Sequence, residues 1–501
     1  MSLSIGLLGL ATASFGGVGV SQAVAAEDCN HTIFDGSGYI WDFEASPQNP
    51  GGVPPSVNDE YGTPEDGGSH GPAEFPPGPV KTEDAYDDWG DVYVYNPFAN
   101  ILTPTAPDKY DGPEIGCGFG LNGQEIIYPV ELMQGLQVQH RWFADPGPLR
   151  GARILTVLHN PGAAAVPATV VQGDPSGFDD LGSDSATASR ATSNGSNVFS
   201  AASFWGVSSD SATVDGDPAL AHVWDGPGGS VRASEVVLGN ANGADVLYWA
   251  WKNVLVQPGA TVAFVSYEIQ NAVPDRSAAS EVALAVAQAN ARETQSSASL
   301  YNGMSAAEIA GTLNWAHPPA TAVIAPIKKP NAATPVTLNG SGSLAATGLP
   351  QCAISSYAWK TDDGKLGIGP IFKPLLKAGK HKATLTVTSN CGATASAEVA
   401  FKVAKGFQFG KAKANRKQGT AKLKVKVLGP GTLSVKGKGV KKAVKKVKKA
   451  GTVSINLVPI GKAHKKLEDK GKVKVKLTVT LTPKGGKPEK QSKSVTFKLA
   501  G

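Results

Sequence analysis

Two carboxylate groups and one lysine array carry the residue types that could do chemistry. Glu83, Asp84, Asp87, Asp88 and Asp91 surround Trp89-Gly90. Closely spaced oxygens on a glycine-containing loop suit Ca2+, which takes about six to eight oxygen ligands. Asp87, Asp88 and Asp91 are the calcium candidates, though their spacing is not that of an EF-hand loop. A solvated acidic turn is the competing account, in which the chain has no cofactor. Asp174, Asp179, Asp180 and Asp184 form a second acidic stretch. Two carboxylates facing one sugar bond would serve a glycosidase, but nothing in this spacing sets their separation.

Nucleophilic catalysis of the Ser-His-Asp kind is not expected, because the chain is read as lacking a Gly-x-Ser-x-Gly elbow. His140, His159 and His222 stand alone on or beside strand-like segments, which favours structural roles. No residue is assigned a catalytic role. Trp142, Trp205, Trp224, Trp249, Trp251, Tyr93 and Tyr95 are rich enough in ring surface for a sugar-stacking platform. Aromatics at every second strand position equally suit a core.

The lysines are the strongest signal. Residues 403–501 hold 28 Lys+Arg against 3 Asp+Glu, a net of +25, whereas residues 1–402 hold 19 against 39, a net of −20. Lys422, Lys424 and Lys426 alternate with aliphatics, as do Lys472, Lys474 and Lys476. As strands, each has one apolar and one cationic face. Lys441, Lys442, Lys445 and Lys446 fall in Val440–Lys449, readable as a membrane-surface helix or as loop and strand. Only Arg416 among the 28 is arginine. Lysine is a hydrated point charge without the bidentate fork that reads bases. Phe407, Phe409 and Phe497 are the segment's only aromatics, so no base-stacking row exists. The pattern excludes sequence-specific nucleic-acid reading. It suits salt-sensitive attraction to an anionic cell-wall polymer, acidic polysaccharide, lipid head groups or extracellular DNA. The competing account is that the lysines keep the segment soluble or dock it onto the acidic body.

The elements that hold these residues are mostly strands. A chain of 501 residues needs several cores. Its 59 Gly and 35 Pro, with Val, Thr and Ser throughout, favour short strands and many turns. Strand signals include Asp91–Tyr95, Leu136–Trp142, Ala152–Leu158, Val246–Trp251 and Thr261–Tyr267, several alternating with period 2. Pro47–Val80 reads as an extended loop or a disordered insert. Ala279, Val282, Ala283, Val286 and Ala289 recur at helical spacing over 278–293. Ser305-Ala306-Ala307-Glu308 is a capping box opening a second short helix.

Residues 1–26 read as a signal peptide, with an apolar run from Ile5 to Val20 and small residues at Ala23–Ala26, but no basic residue before the run. No later stretch has the length to span a membrane. An even count of cysteines in an exported chain favours disulfides. Proximity in sequence pairs Cys29 with Cys117 and Cys352 with Cys391.

Over 320–402 the chain resembles a PKD domain, an Ig-like sandwich of bacterial surface proteins. The matching residues are Val336–Ser343, then Tyr357-Ala358-Trp359-Lys360-Thr361-Asp362-Asp363-Gly364, then Gly379–Thr388. Asp362-Asp363-Gly364 departs from the family's Gly-Asp-Gly-like turn. The resemblance implies that Cys352–Cys391 staples two sheets with Trp359 packed nearby. Residues 403–501 resemble lysine-rich Ig-like modules that end secreted bacterial proteins. Residues 27–316, in the stretches Asp180–Ser185, Asp217–Trp224 and Leu313-Asn314-Trp315, resemble an extracellular module found beside them.

The expected architecture is mainly β: multi-domain β-sandwiches, with one or two short helices closing a large N-terminal body (27–316). The expected function is non-catalytic and at the cell surface. The body would adhere to glycan, the 320–402 domain would space it, and 403–501 would anchor it electrostatically. A polysaccharide hydrolase with binding modules and a structural surface-layer component are the alternatives.

Overall fold

The computed structural model describes residues 27–29, 31–36, 40–43, 90–97, 101, 109–110, 115–173, 175, 187–209, 219–241, 244–271 and 278–500. The signal-peptide reading, the 47–80 loop, Glu83, Asp84, Asp87, Asp88, Asp174 and Asp179–Asp184 lie outside them. Strands make up 51% of the structure and helices 10%, so the class is mainly β, built of several sheets.

The chain forms two compact units, Met1–His317 and Pro318–Gly501. Charge divides at the same point. Residues 1–317 carry 10 Lys+Arg against 36 Asp+Glu, net −26, and residues 318–501 carry 37 against 6, net +31. The change of sign therefore begins 85 residues before position 403, because the 318–402 segment is itself basic.

In the first unit a ten-stranded antiparallel sheet faces a four-stranded one. The strands at the centre of the large sheet are Leu136–Ala144, Ala152–His159, Thr261–Gln270, Leu220–Val223 and Trp205–Ser209. The smaller sheet runs Glu235–Ala241, Ala244–Val256, Val166–Gly173, Val92–Tyr95. Trp142, Ile154, Leu158 and Phe264 from one sheet pack with Val170, Leu247, Trp249 and Trp251 from the other.

Three helices, Ala278–Glu293, Ser297–Leu300 and Ala306–Gly311, belong to this unit, one more than expected. They cover the opposite face of the large sheet, where Trp205 Nε1 donates to Glu293 and the Arg292 guanidinium lies 4.5 Å over Tyr267. Ala152–His159 and Thr261–Gln270 are consequently buried on both faces. A charge on such a strand must be paired. Arg153 meets Glu125 at 3.0 Å and donates to the carbonyls of Leu300 and Asn302.

The Ser305 capping box forms as expected. The long helix forms too, but its buried positions are Glu281, Ala285, Ala289 and Arg292, while Ala279 and Ala283 face solvent. Polar residues with partners share that buried face. Arg292 donates to Asp145 and to the carbonyls of Leu149 and Arg150.

The second unit contains two cores. One gathers Val336, Leu338, Trp359, Leu385 and Val387 beneath a sheet ordered Leu366–Ile368, Ile354–Thr361, Gly379–Ser389, Thr394–Val403. The Cys352–Cys391 disulfide does not staple two sheets. It joins the ends of adjacent strands of one sheet, beside the pairing of Ile354 with Ser389. Trp359 packs near Phe372 and donates to the Gly369 carbonyl. Cys29 pairs with Cys117 in the first unit.

The other core lies between a three-stranded sheet (Phe407–Asn415, Thr420–Val427, Gly451–Leu457) and a four-stranded sheet (Val440–Val447, Gly431–Gly437, Lys472–Pro483, Glu489–Lys498). Leu423, Val425 and Val427 meet Val475, Leu477, Val479 and Leu481 inside it. Val440–Val447 is a strand paired with Gly431–Gly437, so the surface-helix reading fails. Lys462–Lys470 is a helix the sequence reading missed, with Leu467 as its buried residue and Gly471 closing it at φ 60°.

Candidate functional site

The lysine rows follow directly from strand pleat. Along Thr420–Val427 the aliphatics point into the core and Lys422, Lys424 and Lys426 point out. Along Lys472–Pro483 the same alternation exposes Lys472, Lys474 and Lys476. Successive charges in each row are about 6.7 Å apart, two residue rises.

Register supplies polar flanks. Lys422, Lys424 and Lys426 stand opposite Asn456, Ser454 and Thr452, and Lys413 is paired with Lys422. Lys474 and Lys476 stand opposite Thr496 and Ser494, and Lys472 opposite Lys498. The hydroxyl carpet continues through Thr478, Thr480, Ser434 and Thr432. Lys441, Lys442, Lys445 and Lys446 are exposed on the edge strand. Among the described residues none of these ten lysines has an acidic partner; residues 403–501 hold only Glu468, Asp469 and Glu489. Glu489 is occupied by Gly406 N and Gln491.

The carboxylate and aromatic candidates fare differently. Asp91 is buried and accepts from Tyr93 Oη at 2.9 Å and from Lys109 Nζ at 2.8 Å, so a cation already neutralises it. Among the described residues no three metal-ligating side chains converge. All seven platform aromatics are interior: Trp142, Trp224, Trp249, Trp251 and Tyr95 are fully buried, and Trp205 and Tyr93 nearly so. They are core: Trp142, Trp224, Trp249 and Trp251 lie between the two sheets, Tyr93 and Tyr95 pack with Ile101 and Tyr248, and Trp205 meets the long helix, so they offer no ring face to a sugar.

His222 is not isolated. Its Nε2 lies 2.8 Å from Ser208 Oγ and its Nδ1 lies 2.5 Å from Glu268 Oε2. The order of groups is that of a serine-hydrolase triad. His222 and Glu268 have no exposure, and neither does Ser208, so no substrate reaches the hydroxyl. The arrangement satisfies polar groups inside the sandwich. Its sequence signal was polar residues within buried strands, Leu-Ala-His-Val and Val-Ser-Tyr-Glu, which demand partners. The elbow spacing does occur at Gly67-Gly68-Ser69-His70-Gly71, outside the described residues.

Two further buried groups have displaced acidities. Asp225 accepts from Trp251 Nε1 at 3.0 Å, Ala233 N at 2.8 Å and Arg232 Nε at 2.9 Å. Burial outweighs these donors and pushes its carboxyl up to about 6. His140 accepts the Trp142 indole proton on Nε2 at 2.7 Å, and burial lowers it to about 3. His140 is therefore neutral at physiological pH. His159 Nδ1 lies 3.1 Å from Thr261 Oγ1.

No protein family matches this chain, and no curated protein does. Among solved structures, a polysaccharide lyase aligns at 9% identity over 76% of this chain and 46% of its own length, with a TM-score of 0.25. The present chain thus spans less than half of that lyase. A carbohydrate-binding module of the β-sandwich superfamily aligns at 17% identity over 36% of this chain and 93% of its own length, TM-score 0.16. A Ca2+-stabilised, ice-binding adhesin of an Antarctic bacterium aligns at 12% identity over 75% of this chain and 94% of its own, TM-score 0.17. Superpositions this poor carry no argument about function.

Proposed function

We propose that this protein is a non-catalytic attachment protein of the cell surface, held to an anionic wall polymer or polysaccharide by the lysine faces of its C-terminal layer. The observation that carries this reading is the row arrangement. Ten exposed lysines have no acidic partners among the described residues; six stand in two rows on strands whose other face is core, and four lie on both faces of the edge strand Val440–Val447. Lysine rows with hydroxyl neighbours favour charge attraction over base reading. The two disulfides fit an oxidising, extracytoplasmic setting. No helix among the described residues is long and apolar enough to cross a membrane. On this reading the 320–402 segment, similar to a PKD domain, acts as a spacer, and the first unit is the displayed body. Calcium binding around Asp87 and Asp88 is not part of the proposal.

The test is retention of the full chain on purified bacterial cell wall through a sodium chloride series. Retention that falls steeply with salt supports the reading. No retention at low salt, or retention indifferent to salt, overturns it.

A further inference from the structure

Resting on that reading, the geometry of the C-terminal layer points to a further property. We propose that this layer binds two linear acidic polysaccharide chains at once, one on each face, and so bridges them.

The inference follows from where the two rows point. Leu423, Val425 and Val427 of one sheet and Val475, Leu477 and Val479 of the other share one core. The residues between them in sequence must then face away from that core, on opposite sides. Lys422, Lys424 and Lys426 occupy one side, and Lys472, Lys474 and Lys476 the other. Both rows lie on interior strands of their sheets, with a paired strand on each side. The sheets are about 10 Å apart. A single stiff chain lying along one row cannot fold back around the layer to reach the other.

Each face offers more than charge. One has Asn456, Ser454 and Thr452 beside its lysines, and the other has Ser494, Thr496, Thr478 and Thr480. Hydroxyl and amide groups at register positions suit the hydroxyls of a sugar chain carrying periodic carboxylates or sulfates. Nucleic acid fits less well. Phe407 and Phe497 are fully buried, and Phe409 lies under Lys493 Nζ at 5.2 Å, so neither face has a ring on which a base can stack. Neither row contains an acidic residue, so each is a complete cationic track.

A capture assay with the full chain tests the idea. Hyaluronan is immobilised, the protein is applied at low salt, and fluorescent hyaluronan is added. Wild type is expected to bind the surface and to capture the labelled polymer. The variants K422T/K424T/K426T and K472T/K474T/K476T each remove one row while keeping strand propensity. Each is expected to bind the surface about tenfold more weakly and to lose capture, with unchanged melting temperature. Surface binding by wild type without capture overturns bridging but leaves the attachment reading intact. Absence of surface binding overturns both. Capture that survives in both single-row variants, or wild type that is already dimeric by light scattering without polymer, overturns the two-face account. Displacement by single-stranded DNA at lower concentration than by soluble hyaluronan overturns the choice of polymer.

Discussion

His222 Nδ1 and Glu268 Oε2 meet at 2.5 Å across paired strands of the large sheet, with Ser208 on the other ring nitrogen. The geometry is that of a catalytic relay, and the burial is that of a core. A fluorophosphonate probe is therefore expected to leave the native protein unlabelled. Labelling that disappears in Ser208→Ala would contradict the structural role. His222→Ala leaves a buried carboxylate and hydroxyl without their bridge, at a cost of about 2–4 kcal/mol. Eight of the nine tryptophans lie in residues 1–317, so the fluorescence melt of the variant reports this unit.

Asp225 gives the first unit a signed pH response. Its carboxyl is raised from 3.8 to about 6 by burial. A raised acid contributes stability that is fully present below the unfolded value near 3.8 and is lost as pH rises through about 6. The shift corresponds to roughly 3 kcal/mol. The difference in melting temperature between wild type and Asp225→Asn is thus expected to move against wild type from pH 4 to pH 7. A difference that is flat over that range would show that Asp225 titrates normally.

His140 acts with the opposite sign. Its depressed value near 3 means that the folded state refuses a proton the unfolded chain accepts near 6.5. Its contribution is present above 6.5 and declines as pH falls toward 3. His140→Gln, which keeps an acceptor available to Trp142 Nε1, is expected to lose less stability than wild type between pH 6.5 and 4. Equal loss in the two proteins would contradict the neutral buried imidazole.

The disulfides close loops of 88 and 39 residues in sequence separation, each worth about 4 kcal/mol in the chain-entropy account. Cys352→Ser with Cys391→Ser is expected to lower the melting of the second unit and leave the tryptophan-rich first unit unchanged. A matching shift in the first unit would show that the bridge constrains more than its own sheet.

Strand alternation was legible wherever one face met solvent: Lys422 to Lys426 and Lys472 to Lys476 read out as they fold. The cysteine pairs were legible from proximity, and the Ser305 box from its spacing. What failed was anything decided by a second covering layer. Ala152–His159 is buried on both faces because the helices lie over it, a fact no period reveals. Trp142, Trp224, Trp249 and Trp251 became core because a second sheet packs over them. Ser208, His222 and Glu268 come from three strands, and only sheet register joins them. In the helix 278–293 the apolar Ala283 faces solvent, whereas Arg292 is interior because it finds carbonyl and carboxylate partners.

The central claim is that exposed lysine rows hold an anionic polymer by charge. Its most direct test is the dependence of hyaluronan affinity on salt, for the full chain and for a variant with Lys422, Lys424, Lys426, Lys472, Lys474 and Lys476 all changed to Thr. Removing the contacts should make the slope of log affinity against log salt shallower, because fewer charges are then screened. A shallower slope in the variant, with affinity reduced at low salt, is the predicted result. Equal slopes for the two proteins would contradict the account.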